Sequence, residues 1–183
     1  MNEVSTYTGP VKTVSATRTV MSEIVLPNDT NGLGNLMGGR LLHWMDVAGA
    51  IAAQRHANRV CVTAAVDSVE FNCPIRVGEV VILESRVNRA FNTSMEVQIN
   101  VWAENPRDQT KRKCNRAFYT FVAIGEDGRP KPVPPIHPET EEERRCYENA
   151  AKRREFRLIL AGRLRLEEAT HIKSDLLAAL DAS

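Results

Sequence analysis

Asp46 is the residue of this chain best placed to do chemistry, because it is a carboxylate within the most apolar stretch of the sequence. Its neighbours between Leu41 and Ala53 are mostly Leu, Trp, Met, Val, Ile and Ala. An ionised carboxylate in such surroundings loses several kcal/mol of hydration unless it is paired, hydrogen-bonded or open to a pocket. The sequence leaves two interpretations open: a base or nucleophile facing a cleft, or a structural acid satisfied by His43 or a backbone group.

A glycine pair and an asparagine precede Asp46 at short range. Gly38 and Gly39 would let a substrate carbonyl approach the free N–H groups and the positive dipole end of a helix. Tight packing against a neighbouring helix or strand would require the same glycines. Asn31, in a glycine-rich loop, is a candidate catalytic amide or a turn residue. The sequence contains no G-x-G-x-x-G or P-loop pattern. No serine is framed as a nucleophile elbow, which argues against a serine hydrolase.

Helix geometry constrains how these residues could work together. Asp46 and Gly39 on one helix would lie ~10 Å apart along its axis. They could not both touch one reacting carbon about 3 Å away. If both act, the site must join Asp46 of one subunit to the glycines of another.

The element that must position Asp46 is a long helix. The segment from about Gly38 to Ala57 has the length and the Leu, Met and Ala content of a helix. It is apolar nearly all round, which predicts burial on most of its sides.

Strands surround this helix in the sequence. We predict them at about residues 16–26, 60–71, 80–89, 95–103 and 112–124. The strand that begins near Met95 alternates apolar and polar residues, as expected for a half-buried antiparallel strand. In the strand predicted at 60–71, one face should carry Val60, Val62, Ala64 and Val66. The order indicates one curved antiparallel sheet around one central helix, an α+β fold.

The C-terminal part reads as a helical appendage after a Pro-rich connector at residues 130–138. Thr140 and Glu143 form a capping box, and the helix that they start should end at Gly162. A further helix is expected from about Leu164 to Leu180. We interpret its apolar stripe as a docking or oligomer surface: Leu164, Leu166, Ile172, Leu176, Leu177 and Leu180.

Composition restricts the class of protein. A chain of 183 residues supports one sizeable core plus an appendage, and its net charge of +1 gives no general attraction to nucleic acid or anionic membrane. Its four cysteines lack zinc-site spacing and are expected to be reduced, as in a cytoplasmic protein. No signal peptide or membrane span is expected.

Motifs in a fixed order carry a resemblance to a known family. They are Pro27-Asn28-Asp29-Thr30-Asn31, Gly38-Gly39, Trp44-Met45-Asp46, Val62-Thr63-Ala64-Ala65-Val66-Asp67, Pro74-Ile75, Thr93-Ser94-Met95 and Phe118-x-Thr120-Phe121. This series resembles the acyl-CoA thioesterases of the hotdog fold, most closely the brain cytosolic acyl-CoA hydrolase and bacterial YciA type. The resemblance extends over roughly residues 15–155.

The resemblance implies a hotdog domain at 15–130, a C-terminal helical extension at 139–183, and homodimers that usually assemble as trimers of dimers. It implies that Asn31 and Asp46 come from opposite partners as the catalytic pair. Asp46 would be the general base or nucleophile, and Asn31 would orient water or polarise the thioester. The N–H groups of Gly38 and Gly39 would stabilise the oxyanion. The pantetheine channel would be lined by Val62, Thr63, Ala64, Thr93 and Ser94.

We therefore predict an acyl-CoA thioesterase that releases a free acid and CoA without a metal or redox cofactor. The main alternative is a noncatalytic acyl-CoA-binding hotdog sensor, although binding alone would not require a buried base. A hotdog dehydratase is a weaker alternative, since His43 is not placed like the catalytic histidine of that family's motif.

Overall fold

The structure is a computed structural model that describes residues 7–71 and 73–172. The chain divides into two units between His137 and Pro138. In the first unit the elements are β1 (Lys12–Thr13), β2 (Thr19–Ile24), α1 (Gly38–Ala57), β3 (Cys61–Val66), β4 (Val80–Ala90), β5 (Ser94–Asn105), β6 (Thr110–Ala123) and β7 (Ile136–His137). The second unit contains α2 (Glu141–Leu160) and a short 3₁₀ turn at Leu166–Glu168. The domain bounds 15–130 and 139–183 stay predictions.

Five strands form one curled antiparallel sheet in the order β2-β4-β5-β6-β3, with α1 packed against it. This arrangement confirms the predicted sheet around a central helix. The strands β1 and β7 pair separately, in parallel. Among the described residues β3 and β2 are the edges of the five-stranded sheet, so each presents one side without a strand partner.

The helix α1 has the predicted bounds. It ends where Asn58 adopts a left-handed conformation, with φ of 53°. Its buried residues face the sheet, whereas Val47 and Ile51 are each 36% exposed. The expectation that α1 is buried on most sides is therefore wrong for a single chain, because the sheet covers only one face of the helix.

Gly49 determines how closely α1 approaches the sheet. A Cβ atom at this position would lie 2.9 Å from the ring of Phe121, closer than real Cβ contacts allow. Phe121 is fully buried on β6, where it pairs with Thr63 of β3. Glycine at this position is thus a packing requirement.

Two strand predictions need correction. The strand predicted at 60–71 ends at Val66, and a bulge at Ala64 breaks the expected alternation of Val62, Ala64 and Val66. On β5, Glu96 and Gln98 were expected on an exposed face but are buried. Both accept hydrogen bonds from Nδ2 of Asn88, which offsets the loss of water around their polar groups.

A buried histidine ties the end of α1 to the connector. His56 is fully buried, and its Nε2 donates to the carbonyl oxygen of Pro134 at 2.7 Å. Its Nδ1 is also buried and has no partner among the described residues. Burial lowers the pKa of His56 to about 4, so the ring is neutral in the folded protein near neutral pH.

In the second unit, α2 begins at the predicted capping box of Thr140 and Glu143 and is followed by Gly162 with φ of +66°. The predicted helix from Leu164 is wrong at its start, because residues 161–169 form turns. The predicted stripe positions Leu176, Leu177 and Leu180 lie outside the described residues.

Glu155 on α2 holds the chain after these turns. Its carboxylate accepts backbone N–H groups of Thr170, His171 and Ile172 at 2.9 to 3.1 Å. Burial opposes its ionisation, but the hydrogen bonds from His171 and these N–H groups outweigh burial and lower the pKa of Glu155 to about 2.

Within residues 7–71 and 73–172, no helix combines the length and the apolar character that crossing a membrane requires.

Candidate active site

Asp46 lies midway along α1 on the border between its buried and exposed faces. The Thr63 hydroxyl on β3 donates to its Oδ1 at 2.5 Å. Among the described residues this is the hydrogen bond that Asp46 receives, so the partner is Thr63 and not His43. The carboxylate is half-buried, so it keeps contact with solvent, and it also accepts one side-chain hydrogen bond. Its loss of hydration is therefore smaller than for a fully buried, unpaired carboxylate.

The contact depends on the register of β3. Thr63 pairs with Phe121, whose side chain is buried on the face that carries α1, so Thr63 also points toward the helix. The bulge at Ala64 follows directly, so Thr63 is the last residue of β3 before the pairing with β6 shifts by one position. The sequence interpretation placed Thr63 only in the pantetheine channel, whereas the structure gives its hydroxyl a direct contact with Asp46.

Tyr119 was missed by sequence reasoning and lies near the carboxylate. Its ring is buried beside Phe121, and its hydroxyl donates weakly to the carbonyl of Leu42 at 3.5 Å. Burial, and then the negative charge of Asp46, raise the pKa of Tyr119 to about 12. The phenol thus stays protonated and adds no second negative charge beside Asp46.

Asn31 is held in a tight turn ahead of α1. Its Oδ1 accepts the backbone N–H groups of Leu33 at 2.9 Å and Asn35 at 3.3 Å. Because both donors are backbone N–H groups, the atom that faces them must be the amide oxygen. No described residue accepts a hydrogen bond from Nδ2, so the exposed amide presents its N–H donors outward.

A cleft of about 340 Å³ joins Asn31 to the first residue of α1. Its wall is mostly apolar: Leu36, Leu41, Phe71, Pro74 and Ile75, together with Asn31, Asn35, Gly38 and Cys73. A Cβ at Gly38 would lie 3.4 Å from the Phe71 ring, an ordinary contact, and a Cβ at Gly39 would meet nothing within 4 Å. Unlike Gly49, neither glycine of the pair is needed for packing within the described chain.

The remaining predicted residues lie on another part of the sheet. Ser94 pairs with Val122 of β6, and Val122 pairs with Val62 of β3. The Thr93–Ser94 corner is thus in line with Val62, ~10 Å away across one strand. Ala64 occupies the bulge on the exposed edge of β3.

One chain therefore brings together Asp46 with Thr63, and Asn31 with Gly38, as two separate groups. Continuous helix from Gly38 to Ala57 gives ~10 Å between Gly39 and Asp46 along the axis. As predicted from the sequence, Gly39 and Asp46 of one chain are too far apart to contact the same reacting carbon.

Comparison with known proteins identifies the family. A model of the thioesterase superfamily matches residues 33–110. The chain is 43% identical over 145 residues to acyl-coenzyme A thioesterase 11 of Mus musculus, which covers 79% of this chain and 24% of that protein. It is 40% identical over 136 residues to the uncharacterized acyl-CoA thioester hydrolase YkhA of Bacillus subtilis, covering 74% of this chain and 79% of that one.

The chain belongs to the thioesterase superfamily, among its acyl-CoA thioester hydrolases. This confirms the predicted family and the predicted enzyme class, a thioester hydrolase. The chain spans about a quarter of the length of the mouse relative and most of the length of the Bacillus relative.

Solved structures of this family have the same fold. A hexameric acyl-CoA thioesterase matches with a TM-score of 0.79 at 41% identity, covering 85% of this chain and 100% of that one. The acyl-CoA hydrolase of Staphylococcus aureus, in complex with butyryl coenzyme A, coenzyme A and coenzyme A disulfide, matches with a TM-score of 0.78 at 30% identity, covering 95% and 100%. That enzyme has also been solved with an aspartate, an asparagine or a threonine replaced by alanine. The predicted hotdog fold is thus confirmed.

Proposed function

We propose that this protein hydrolyses acyl-CoA to a free carboxylic acid and CoA at sites shared between two copies of the chain. The observation that carries the proposal is the half-buried Asp46 carboxylate, held by Thr63 on the border of a helix face that the chain itself leaves open. The proposal requires no metal or redox cofactor. The names of relatives as cytosolic acyl-CoA hydrolases support a cytoplasmic location.

The spacing of residues altered in the Staphylococcus enzyme supports the choice of residues. Its asparagine and aspartate are 15 positions apart, and its aspartate and threonine are 17 positions apart. Asn31, Asp46 and Thr63 have the same two spacings. Since that enzyme binds butyryl coenzyme A, we propose that these three side chains act on an acyl-CoA thioester here.

Asp46 supplies the carboxylate that acts as general base or as nucleophile. With Oδ1 bound to Thr63, the second carboxylate oxygen is left to accept a proton from water or to attack the thioester carbonyl itself. The Thr63 hydroxyl fixes the rotamer of the carboxylate in both routes. Hydrolysis adds water across the C–S bond, so the proton finally passes to the CoA thiolate.

Asn31 acts as a donor in this proposal. Because its Oδ1 is occupied by backbone N–H groups, its Nδ2 is the atom that can hydrogen-bond the thioester oxygen. The first-turn N–H groups at Gly38 and Gly39 lack helical acceptors and would stabilise the developing oxyanion. One such donor is typically worth ~10²–10³ in rate.

The two halves of the site would meet across a dimer. The open face of α1 presents His43, Val47 and Ile51, and the neighbouring edge strand exposes Val62 and Val66. An apolar helix face beside an unpaired strand edge favours association with a second copy. Pairing there would bring Asp46 to Asn31 of the partner, with Val62, Ala64, Thr93 and Ser94 lining the pantetheine channel. The hexameric relative supports further assembly as a trimer of dimers.

A panel of acyl-CoAs tests the activity, with release of free CoA thiol as the measurement. We expect turnover for at least one acyl chain length. Binding of acyl-CoA without turnover across the panel would instead support the noncatalytic sensor.

Complementation tests the shared site. We expect Asn31→Ala and Asp46→Ala to be inactive alone. After subunit exchange half of the dimers are hybrids with one intact site, so activity should return to about one quarter of the wild-type value. No recovery despite exchange, demonstrated by mass spectrometry of differently tagged chains, would contradict a shared site.

A further inference from the structure

Cys73 and Cys114 lie side by side although 41 positions separate them along the chain. Their Sγ atoms are 2.7 Å apart, and both side chains are half-exposed. Two nonbonded sulfur atoms rarely approach this closely, and a disulfide bond would need them only about 0.7 Å closer. Both residues carry free thiols in this structure.

A β-bulge directs Cys114 toward its neighbour. Val101 and Trp102 of β5 pair with Asn115 and Lys113, so Cys114 is the extra residue on β6. Such a bulge re-aims a side chain that regular alternation would place elsewhere. The approach of the two sulfur atoms is thus produced by a local irregularity of the strand.

Cys73 belongs to a stretch that forms one wall of the cleft beside Asn31. We call residues 67–71 and 73–74 the cleft wall. Backbone and side-chain hydrogen bonds tie it to β6: Asp67 N–H to the Phe118 carbonyl, Asn115 to the Glu70 carbonyl, and Arg112 to the Pro74 carbonyl. Phe71 within it lines the cleft together with Gly38 at the start of α1. A bond between Cys73 and Cys114 would join the same two partners covalently.

We propose that Cys73 and Cys114 form a reversible disulfide with peroxide as the oxidant, fixing the cleft wall to β6. Cys73 sulfur attacks one oxygen of hydrogen peroxide, giving a sulfenic acid and one water. Cys114 sulfur then attacks the sulfenic sulfur, forming the S–S bond and releasing a second water. The two thiols together lose two electrons and two protons, and the peroxide is reduced to two waters.

The order of the steps follows from the surroundings of the two thiols. Burial, and then the contact with Cys73, raise the pKa of Cys114 to about 12, so Cys114 is protonated near neutral pH. Arg112 is held by Glu79 at 2.6 Å, and its positive charge acts on both sulfur atoms, but its side-chain hydrogen bond is to Cys73, the first attacking sulfur. Cys61 is buried apart from this pair, and its pKa is raised to about 11, mainly by burial.

The test is oxidation of the full-length protein with dilute hydrogen peroxide. We expect the intact mass to fall by two hydrogens, and peptide mapping without reductant to recover one cross-linked pair, Cys73 with Cys114. Closing a loop of this length should raise the melting temperature by about 5–10 °C, and dithiothreitol should reverse both changes.

Matched variants separate this pair from the other thiols. Cys146→Ser should oxidise like the wild type, whereas Cys73→Ser and Cys114→Ser should not show the loss of two hydrogens or the gain in melting temperature. A cross-link between chains, or sulfinic acid at Cys73 with Cys114 still free, would overturn the proposal. These measurements do not involve turnover, so they stand apart from the test of the thioesterase activity.

Discussion

Asp46 and Glu155 are both helical carboxylates with low exposure, yet their surroundings are opposite in kind. Glu155 accepts hydrogen bonds from three backbone N–H groups and, at 2.8 Å, from Nδ1 of His171. Its pKa is lowered to about 2. Asp46 receives one side-chain hydrogen bond, from Thr63. A carboxylate whose oxygens are all engaged serves the fold, whereas one with an unused oxygen beside an open face is available for chemistry.

Replacing Asp46 by Asn gives the largest expected effect. The amide keeps the size of the side chain and can still accept from Thr63, but it cannot take a proton from water. Turnover should fall on the order of 10³-fold, as for loss of a general base, while the melting temperature stays close to wild type. Steady-state CoA release and thermal unfolding measure the two quantities. Near wild-type turnover would remove Asp46 from the mechanism.

The stability of the protein should depend on pH, because folding shifts the pKa values of buried groups such as His56 and Glu155. The pKa of His56 is about 4 when folded and 6.5 as its ordinary value, so the unfolded chain binds the proton first and stability falls from pH 6.5 toward pH 4. The expected loss is about 3 kcal/mol. Urea unfolding across this range should show a flatter profile for His56→Phe. A profile identical to that of the wild type would mean that folding does not lower the pKa of His56.

Glu155→Gln should lower stability and leave turnover intact, the reverse of Asp46→Asn. Losing charge-assisted hydrogen bonds to a buried group should cost about 2 kcal/mol and lower the melting temperature by about 4–8 °C. Since its folded pKa lies below the ordinary 4.5, the contribution of Glu155 is present above pH 4.5 and disappears as pH falls toward 2. Exposed Glu148→Gln on the same helix is the control and should change stability by less than about 0.5 kcal/mol. A marked loss of turnover in Glu155→Gln at a temperature where the variant is still folded would contradict a purely structural role for Glu155.

Thr63→Val should have the smallest effect of the series. It removes the hydroxyl that orients Asp46 and keeps the shape of the side chain, so turnover should fall about 10-fold, the equivalent of one hydrogen bond. Thr63→Ser restores the donor and should keep most of the activity. If the valine variant is as active as the serine variant, the contact does not orient the carboxylate.

Local signals in the sequence predicted much of the fold and part of the site. Helix content and the glycine pair predicted the bounds of α1, and turn residues predicted the ends of β6 and α2. Asp46 was found because a carboxylate in an apolar run is unusual. Its partner Thr63 lies 17 positions away on a strand, and only the register of β3 against β6 brings them together.

Features that depend on irregular pairing had no signal in the sequence. The bulge at Cys114 aligns two thiols from distant segments, and regular alternation of β6 gives no reason to expect it. Burial of Glu96 and Gln98 was missed for a related reason: alternation of polar residues predicts exposure unless a hydrogen-bonding partner such as Asn88 is known.

Gly49 has a consequence beyond packing. Because Gly49 has no side chain, α1 can pack closely against Phe121. Asp46 lies on the same helix, less than one turn away. Any larger residue there would lift the helix from the sheet and withdraw the carboxylate from Thr63. Gly49, which has no functional group, thus sets the distance between α1 and the sheet and therefore the distance between Asp46 and Thr63.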